Sequence, residues 1–219
     1  MKFDSQGLKQ LDTRFRAHLI NSLSGFKSAN LIGTVDGNEQ TNLSIVSSVV
    51  HLGANPPLIG MVMRPNSVPR HSFENLLETE IFTVNQVSSD FYQAAHQTSA
   101  RYDKSQCEFH AVGLTPQYFD GFDAPFVAES ELKYAVRLVE VKHIEVNSTE
   151  FVIGEIVLLY VNDKAIKADG FVDIETLNTV AVSGLDSYHT TKRLERLSYA
   201  KKDIPAVPVN LDGAPYDDN

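Results

Sequence analysis

The 219-residue chain has a single cysteine, Cys107. One thiol excludes an intramolecular disulfide, and with it a disulfide framework or a zinc site built from cysteines. Basic residues are also in short supply. Nineteen Lys and Arg stand against 28 Asp and Glu, for a formal net charge of -9. That balance argues against a nucleic-acid-binding surface, where a basic patch is expected. No stretch approaches the roughly 18–20 apolar residues of a membrane-spanning helix. The start, MKFDSQGLKQLDTRF, lacks the apolar core of a secretory signal. The expectation is a cytoplasmic protein with neither nucleic-acid nor membrane partners. Internal repeats and low-complexity segments are absent too.

Familiar catalytic motifs are missing as well. There is no GxGxxG after a strand, no GxxxxGKS/T loop and no HExxH. No GxSxG nucleophile elbow occurs. The histidines, His18, His51, His71, His96, His110, His143 and His189, do not pair at metal-ligand spacing. Each by itself reads as a surface or structural residue. Cys107 adjoins Glu108, which disfavours a thiolate.

What the chain does contain is a core. Hydrophobic residues make up 42% of it, enough for a folded domain. Leu8, Leu11, Phe15, Leu19 and Leu23 recur at helical spacing. They predict a helix from about Ser5 to Leu23, capped by Asp4 or Ser5, with Gly25 past its end, packed on the domain. SANLIGTV then reads as a strand and DGN as a turn. TNLSIVSSVVHLGANPPLIGMVMRP reads as two strands broken by Pro56-Pro57, the second closed by Arg64. A loop, PNSVPRHS, leads to a helix in HSFENLLETE, with Ser72 at its cap or first turn. IFTVN predicts a strand, and SSDFYQAAHQTSA a helix with Phe91, Ala94 and Ala95 on one face.

The segment from Arg101 to Gly121 reads as mostly loop, and a loop that long in a compact domain is often functional. In LKYAVRLVEVKHIEV, Leu132, Tyr134, Val136 and Leu138 alternate before the phase slips to Val139 and Val141, which predicts a β-bulge. NST turns the chain, and EFVIGEIVLLYV returns it as a hairpin. The end, rich in Pro and Asp, reads as an arm or a disordered tail. Strands dominate and do not alternate with helices. The fold class is therefore mainly β with peripheral helices, an antiparallel barrel that is closed or split.

One polar constellation stands out. Asn42, Ser44, Ser47 and Ser48 place hydrogen-bonding groups in a strand that a plain core would not need. Arg64 follows, then Arg70, His71 and Ser72 at a helix start. A helix N-terminus with a guanidinium and a hydroxyl beside it suits a phosphate or carboxylate. The alternative is a capping serine and solvated arginines.

At these residues the chain resembles the flavin reductase-like family, which has an FMN-binding split barrel. The matching pattern runs Asn42, Ser47, Pro56-Pro57, Arg64, Ser72 and Asn85. CEFHAVGLT (Glu108, Phe109, Gly113, Leu114, Thr115) and Gly154-Glu155 add to it. Ser44 and Ile45 depart from the family's first motif, and these are the positions where ring contacts are expected to differ. Only Gly184 and Tyr188 match the family's C-terminal motif. The resemblance spans about Gly25 to Ala200. It implies an N-terminal helical extension (1–24), a split-barrel domain (25–200) and a C-terminal tail or arm (201–219).

The resemblance further implies FMN rather than FAD, with NAD(P)H as co-substrate. Arg64, Arg70, His71 and Ser72 would take the phosphate. Asn42, Ser47 and Ser48, by side chain or backbone N–H, would take the ribityl chain and ring edge, with Ser44 beside them in the cofactor site. Tyr188 and His189 would flank the ring or serve a structural role. It implies a homodimer, with the terminal segments as dimer arms, and a flavin-dependent monooxygenase or other acceptor as partner. Hydride would pass from nicotinamide to flavin N5 with no catalytic side chain, since the flavin carries that chemistry. A non-catalytic FMN carrier and a barrel that has lost its ligand remain as alternatives.

Overall fold

A computed structural model describes residues 1–65, 68–119 and 121–216. Asn66 and Ser67 of the expected loop, Asp120, and the last three residues of the expected tail lie outside the described residues. The helices are α1 (Ser5–Gln10), α2 (Thr13–Ser22), α3 (His71–Thr79), α4 (Tyr92–Gln97) and α5 (Glu108–Val112). The strands are β1 (Lys27–Ser28), β2 (Asn30–Val35), β3 (Thr41–Val46), β4 (Val49–Ala54), β5 (Pro57–Met63), β6 (Ile81–Gln86) and β7 (Pro116–Phe119). They continue with β8 (Phe122–Val127), β9 (Leu132–Ile144), β10 (Thr149–Val161), β11 (Val180–Ser183), β12 (Ser187–Thr190), β13 (Arg196–Leu197) and β14 (Pro208–Val209).

Seven strands form one antiparallel sheet in the order β3-β2-β6-β9-β10-β5-β4. Its two edges, β3 and β4, are consecutive in sequence and joined only by Ser47 and Ser48. Three Cα steps span at most roughly 11 Å, so the sheet must curl until its edges approach at that end. This curl makes the fold a split β-barrel. The expected pair of strands around Pro56-Pro57 is thus three strands, and β4 lies mostly exposed at an edge.

β2 is buried along its whole length because it separates two cores. Ile32 faces the barrel interior with Met61, Phe82, Val84, Val136 and Val152. Leu31 faces the other way, into a cluster with Leu43, Phe91, Phe109, Val127 and Val180. The second cluster lies under α4, α5 and the small sheet β1-β11-β12.

The expected bulge is present. Leu138 pairs with Gly154 and Glu140 with Ile153, so Val139 is the unpaired extra residue. A second register shift falls at Val157 on β10.

Three expectations need correction. The N-terminal helix is two helices, because Asp12 caps a new one by accepting from the Arg14 and Phe15 N–H groups, both at 3.0 Å. None of its apolar residues is fully buried: Leu8, Leu11 and Leu19 are half-buried and Phe15 and Leu23 exposed, so this chain covers its apolar face only in part. The segment after Arg101 is not mostly loop. It holds α5 and β7, the helix ending at Gly113 with φ +74. The C-terminal end also folds back: β14 pairs with β13, and Arg196 pairs with Asp169 at 2.6 Å.

Lys133 on β9 is buried, and among the described residues it forms no ion pair. Its Nζ donates to the Val127 carbonyl at 2.8 Å and lies over the Tyr160 ring at 5.1 Å. Burial pushes its ammonium down to about 8, against about 10.4 in an unfolded chain. Between those values the unfolded chain holds more protons than the folded one, so stability rises with pH. Urea unfolding is expected to show stability flat from about pH 7 to about pH 8, above the carboxylate range, and climbing toward about pH 10. Lys133→Met should abolish the climb. A slope that survives this substitution would assign it to another group.

Candidate functional site

The site is built where β3, the start of α3 and α5 meet. Asn42 and Ser44 share one face of β3, and Ser72 sits in the first turn of α3. The Asn42 amide satisfies its neighbours in one orientation. In it Nδ2 donates to Glu108 Oε1 at 3.1 Å, while Oδ1 accepts from the Leu43 N–H at 3.0 Å and from Ser72 Oγ at 2.7 Å. Ser44 Oγ lies 2.7 Å from Ser72 Oγ. Leu43 N–H also lies 3.2 Å from Glu108 Oε2. This network locks the first turn of α3 and the start of α5 onto one edge strand.

Asn42 and Ser72 are therefore buried and bonded to protein, and Ser44 is the half-exposed member of the group. Ser72 is a first-turn residue rather than the cap. Arg70 holds the cap position and makes no side-chain cap bond. Its backbone N–H donates to Glu74 Oε1 at 3.2 Å.

Arg70 is the electrostatic centre. Its Nε is buried and, among the described residues, has no hydrogen-bond partner. Burial pulls its guanidinium below the ordinary arginine value, and repulsion from Arg64 and Arg101 adds to this. A buried donor without an acceptor costs free energy, and like charges gathered at a helix N-terminus add to that cost. An anion seated there would relieve both terms. Arg64 is exposed beyond β5 and His71 is half-buried at the first position of α3. Burial raises the Glu108 carboxyl above its usual range, against the hydrogen bonds from the backbone and the nearby His71, which lower it.

The other expected residues fall elsewhere. Ser47 and Ser48 form the link between the sheet edges, and Ser48 Oγ donates to the Val62 carbonyl at 2.8 Å. Tyr188 and His189 lie on β12, in the separate small sheet. The Tyr188 hydroxyl meets His96 Nδ1 at 2.9 Å, and His189 Nε2 meets Ser183 Oγ at 2.8 Å. Ile45 points away from Ser44 and packs with the second core cluster. Of the two positions that depart from the family pattern, only Ser44 faces the site.

Sequence reasoning passed over Arg101 and the structural part played by Glu108. Gly113 closing an apolar run was the available sign that Glu108 starts a short helix. Among the described residues, no group of three or more His, Cys, Asp or Glu is placed to hold a metal.

Residues 23–176 match the model of the flavin reductase like domain. A split-barrel protein of the flavin reductase type from Shewanella frigidimarina NCIMB 400 is 60% identical, with a TM-score of 0.88 over 91% of this chain and 100% of that one. Component B of nitrilotriacetate monooxygenase from Bacillus cereus superposes with a TM-score of 0.78 at 18% identity, over 90% of this chain and 98% of that one. Flavoredoxin of Desulfovibrio vulgaris (Miyazaki F) does so with a TM-score of 0.70 at 21% identity, over 93% and 98%. The two lower identities speak for the fold only. With the split barrel, the polar β3 wall and the family match in agreement, this chain belongs to the flavin reductase-like family.

Proposed function

We propose that the chain is an FMN-binding, NAD(P)H-dependent flavin reductase. The observation that carries this reading is the buried Nε of Arg70, unpartnered among the described residues, beside Arg64 and Arg101 at the start of α3. A site with that much unanswered positive charge suits a phosphate monoester. Beside it, Ser44 on the β3 wall suits the hydroxyls of a ribityl chain. FAD, whose two phosphates each carry one ester bond and share an anhydride oxygen, spreads its charge over a pyrophosphate and suits a single concentrated anion site less well.

Arg70 and the first-turn N–H groups of α3 would hold the phosphate, with Arg64, Arg101 and His71 around it. Ser47, Ser48 and the neighbouring backbone would border the ring. Bound FMN supplies hydride acceptance from a nicotinamide, chemistry that no side chain here provides. The protein's part is to bind, orient and exclude water. That division agrees with the lack of a dinucleotide-binding motif, since the nicotinamide would stack on the flavin.

A homodimer is part of the proposal. Phe15, Ile20, Leu23 and Phe26 are exposed along α2 and the residues after it. An apolar stripe of that kind commonly marks an interface. A cytoplasmic location and a flavin-dependent monooxygenase as acceptor complete the reading.

The test is direct. Purified protein with FMN should consume NADH or NADPH, followed by the loss of nicotinamide absorbance. Retention of flavin without turnover would instead mark a carrier. Neither binding nor oxidation would overturn the reading.

A further inference from the structure

Glu108 is a buried carboxylate that the proposed chemistry does not use. Its two oxygens both accept hydrogen bonds, Oε1 from Asn42 Nδ2 and Oε2 from the Leu43 N–H. Both oxygens meet N–H donors in this arrangement, which suits the ionised form against the burial that raises the carboxyl. With Nδ2 turned to Glu108, Asn42 must present Oδ1 to Ser72, so the Ser72 hydroxyl donates across that 2.7 Å contact. A serine has one proton to donate. Ser72 can therefore only accept from Ser44, and the Ser44 proton is committed in turn across its own 2.7 Å contact. Only lone pairs remain on Ser44, the half-exposed end of the chain.

We infer that Glu108 is a positioning residue that fixes the direction of the chain Glu108–Asn42–Ser72–Ser44, so that Ser44 meets the ligand as an acceptor and selects a hydroxyl of a polyol chain. The wall then has two chemically distinct ends. Arg70 offers donors to an anion, and Ser44 offers lone pairs that a deprotonated phosphate would not tolerate. The ribityl identity of that polyol rests on the flavin reading above.

The test titrates wild type, Glu108→Gln, Ser44→Ala and the double variant with FMN, riboflavin and lumiflavin, which lacks the ribityl chain. Phosphate-induced shifts in Tm are measured in parallel. Ser44→Ala and Glu108→Gln should each weaken FMN and riboflavin by one common factor, roughly 3–10-fold, the worth of one neutral hydrogen bond. The double variant should be no weaker than Glu108→Gln. Ser44→Ala should leave lumiflavin affinity and the phosphate shift unchanged.

Wild-type affinity for FMN in Ser44→Ala would overturn the inference. So would a loss in Glu108→Gln confined to FMN, because that places its action at the phosphate end. Equal loss of lumiflavin in Ser44→Ala would overturn the polyol assignment. Ser44 is half-exposed, so the lumiflavin comparison still decides if Glu108→Gln fails to fold. If wild type binds no flavin, the proposed function fails and thermal unfolding decides the chain. Non-additive Tm changes for Glu108→Gln and Ser44→Ala would keep it, and additive changes would overturn it.

Discussion

Replacing Arg70 with alanine is expected to weaken FMN about 10- to 100-fold, since a hydrogen bond to a charged group contributes roughly 1.5–3 kcal/mol. Riboflavin, which has no phosphate, should bind almost as before. The contrast isolates the phosphate end, because both ligands share the ring and the ribityl chain. Arg64→Ala and Arg101→Ala should cost less: both side chains are exposed, and water and salt screen them. The unliganded protein supplies a control of opposite sign. Arg70→Ala removes a buried donor that has no acceptor among the described residues and relieves repulsion from two neighbouring guanidinium groups. Its Tm without ligand should match or exceed that of wild type, which a purely structural role for Arg70 would not allow. Fluorescence titration with both flavins and thermal unfolding read the two effects separately. Equal weakening of FMN and riboflavin would sink the phosphate assignment.

Gly33→Ala is expected to be the most damaging single-methyl change in the barrel. Gly33 lies in β2 under β8, and a Cβ there would stand 2.1 Å from the Pro125 carbonyl oxygen and 2.6 Å from Thr83 Oγ1. Neither group can retreat easily. Pro125 is held in a strand, and the Thr83 hydroxyl donates to that same carbonyl at 2.6 Å. Overpacking of this kind typically costs about 1–3 kcal/mol, and backbone on the far side of the clash argues for the upper end. For a chain of this size that corresponds to a fall of roughly 6–12 °C in Tm. Gly25→Ala is the comparison. Gly25 has φ +71, but nothing lies within 4 Å of its Cβ position. It carries backbone strain alone, about 1–2 kcal/mol. If Gly33→Ala melts no lower than Gly25→Ala, the close approach of β2 and β8 is wrong.

Several features were legible in the sequence because they are local. The alternation in Leu132–Leu138 gave the strand, and its slip of phase marked the bulge at Val139. Arg70, His71 and Ser72 could be placed at a helix start because the apolar spacing behind them sets where α3 begins. Asp12 shows the limit of the same reasoning. The apolar spacing runs through it, yet its carboxylate caps a second helix and divides the first. The competing signal was equally local but weaker to the eye than five spaced apolar residues.

The sequence by itself determined a β-rich fold, a strand break at Pro56 and a cationic helix start that suits an anion. Tertiary structure alone decided that β3 and β4, consecutive in the chain, form opposite edges of one curled sheet. It alone turned Asn42 and Ser72 toward each other, sent Ile45 to the far core and brought Glu108 beneath Asn42. The physical reason is that periodicity records which residues share a face but not what that face meets. Ser44 and Ile45 differ by one position and so by one whole side of the sheet. Which side holds the ligand depends on helices that pack there from far along the chain.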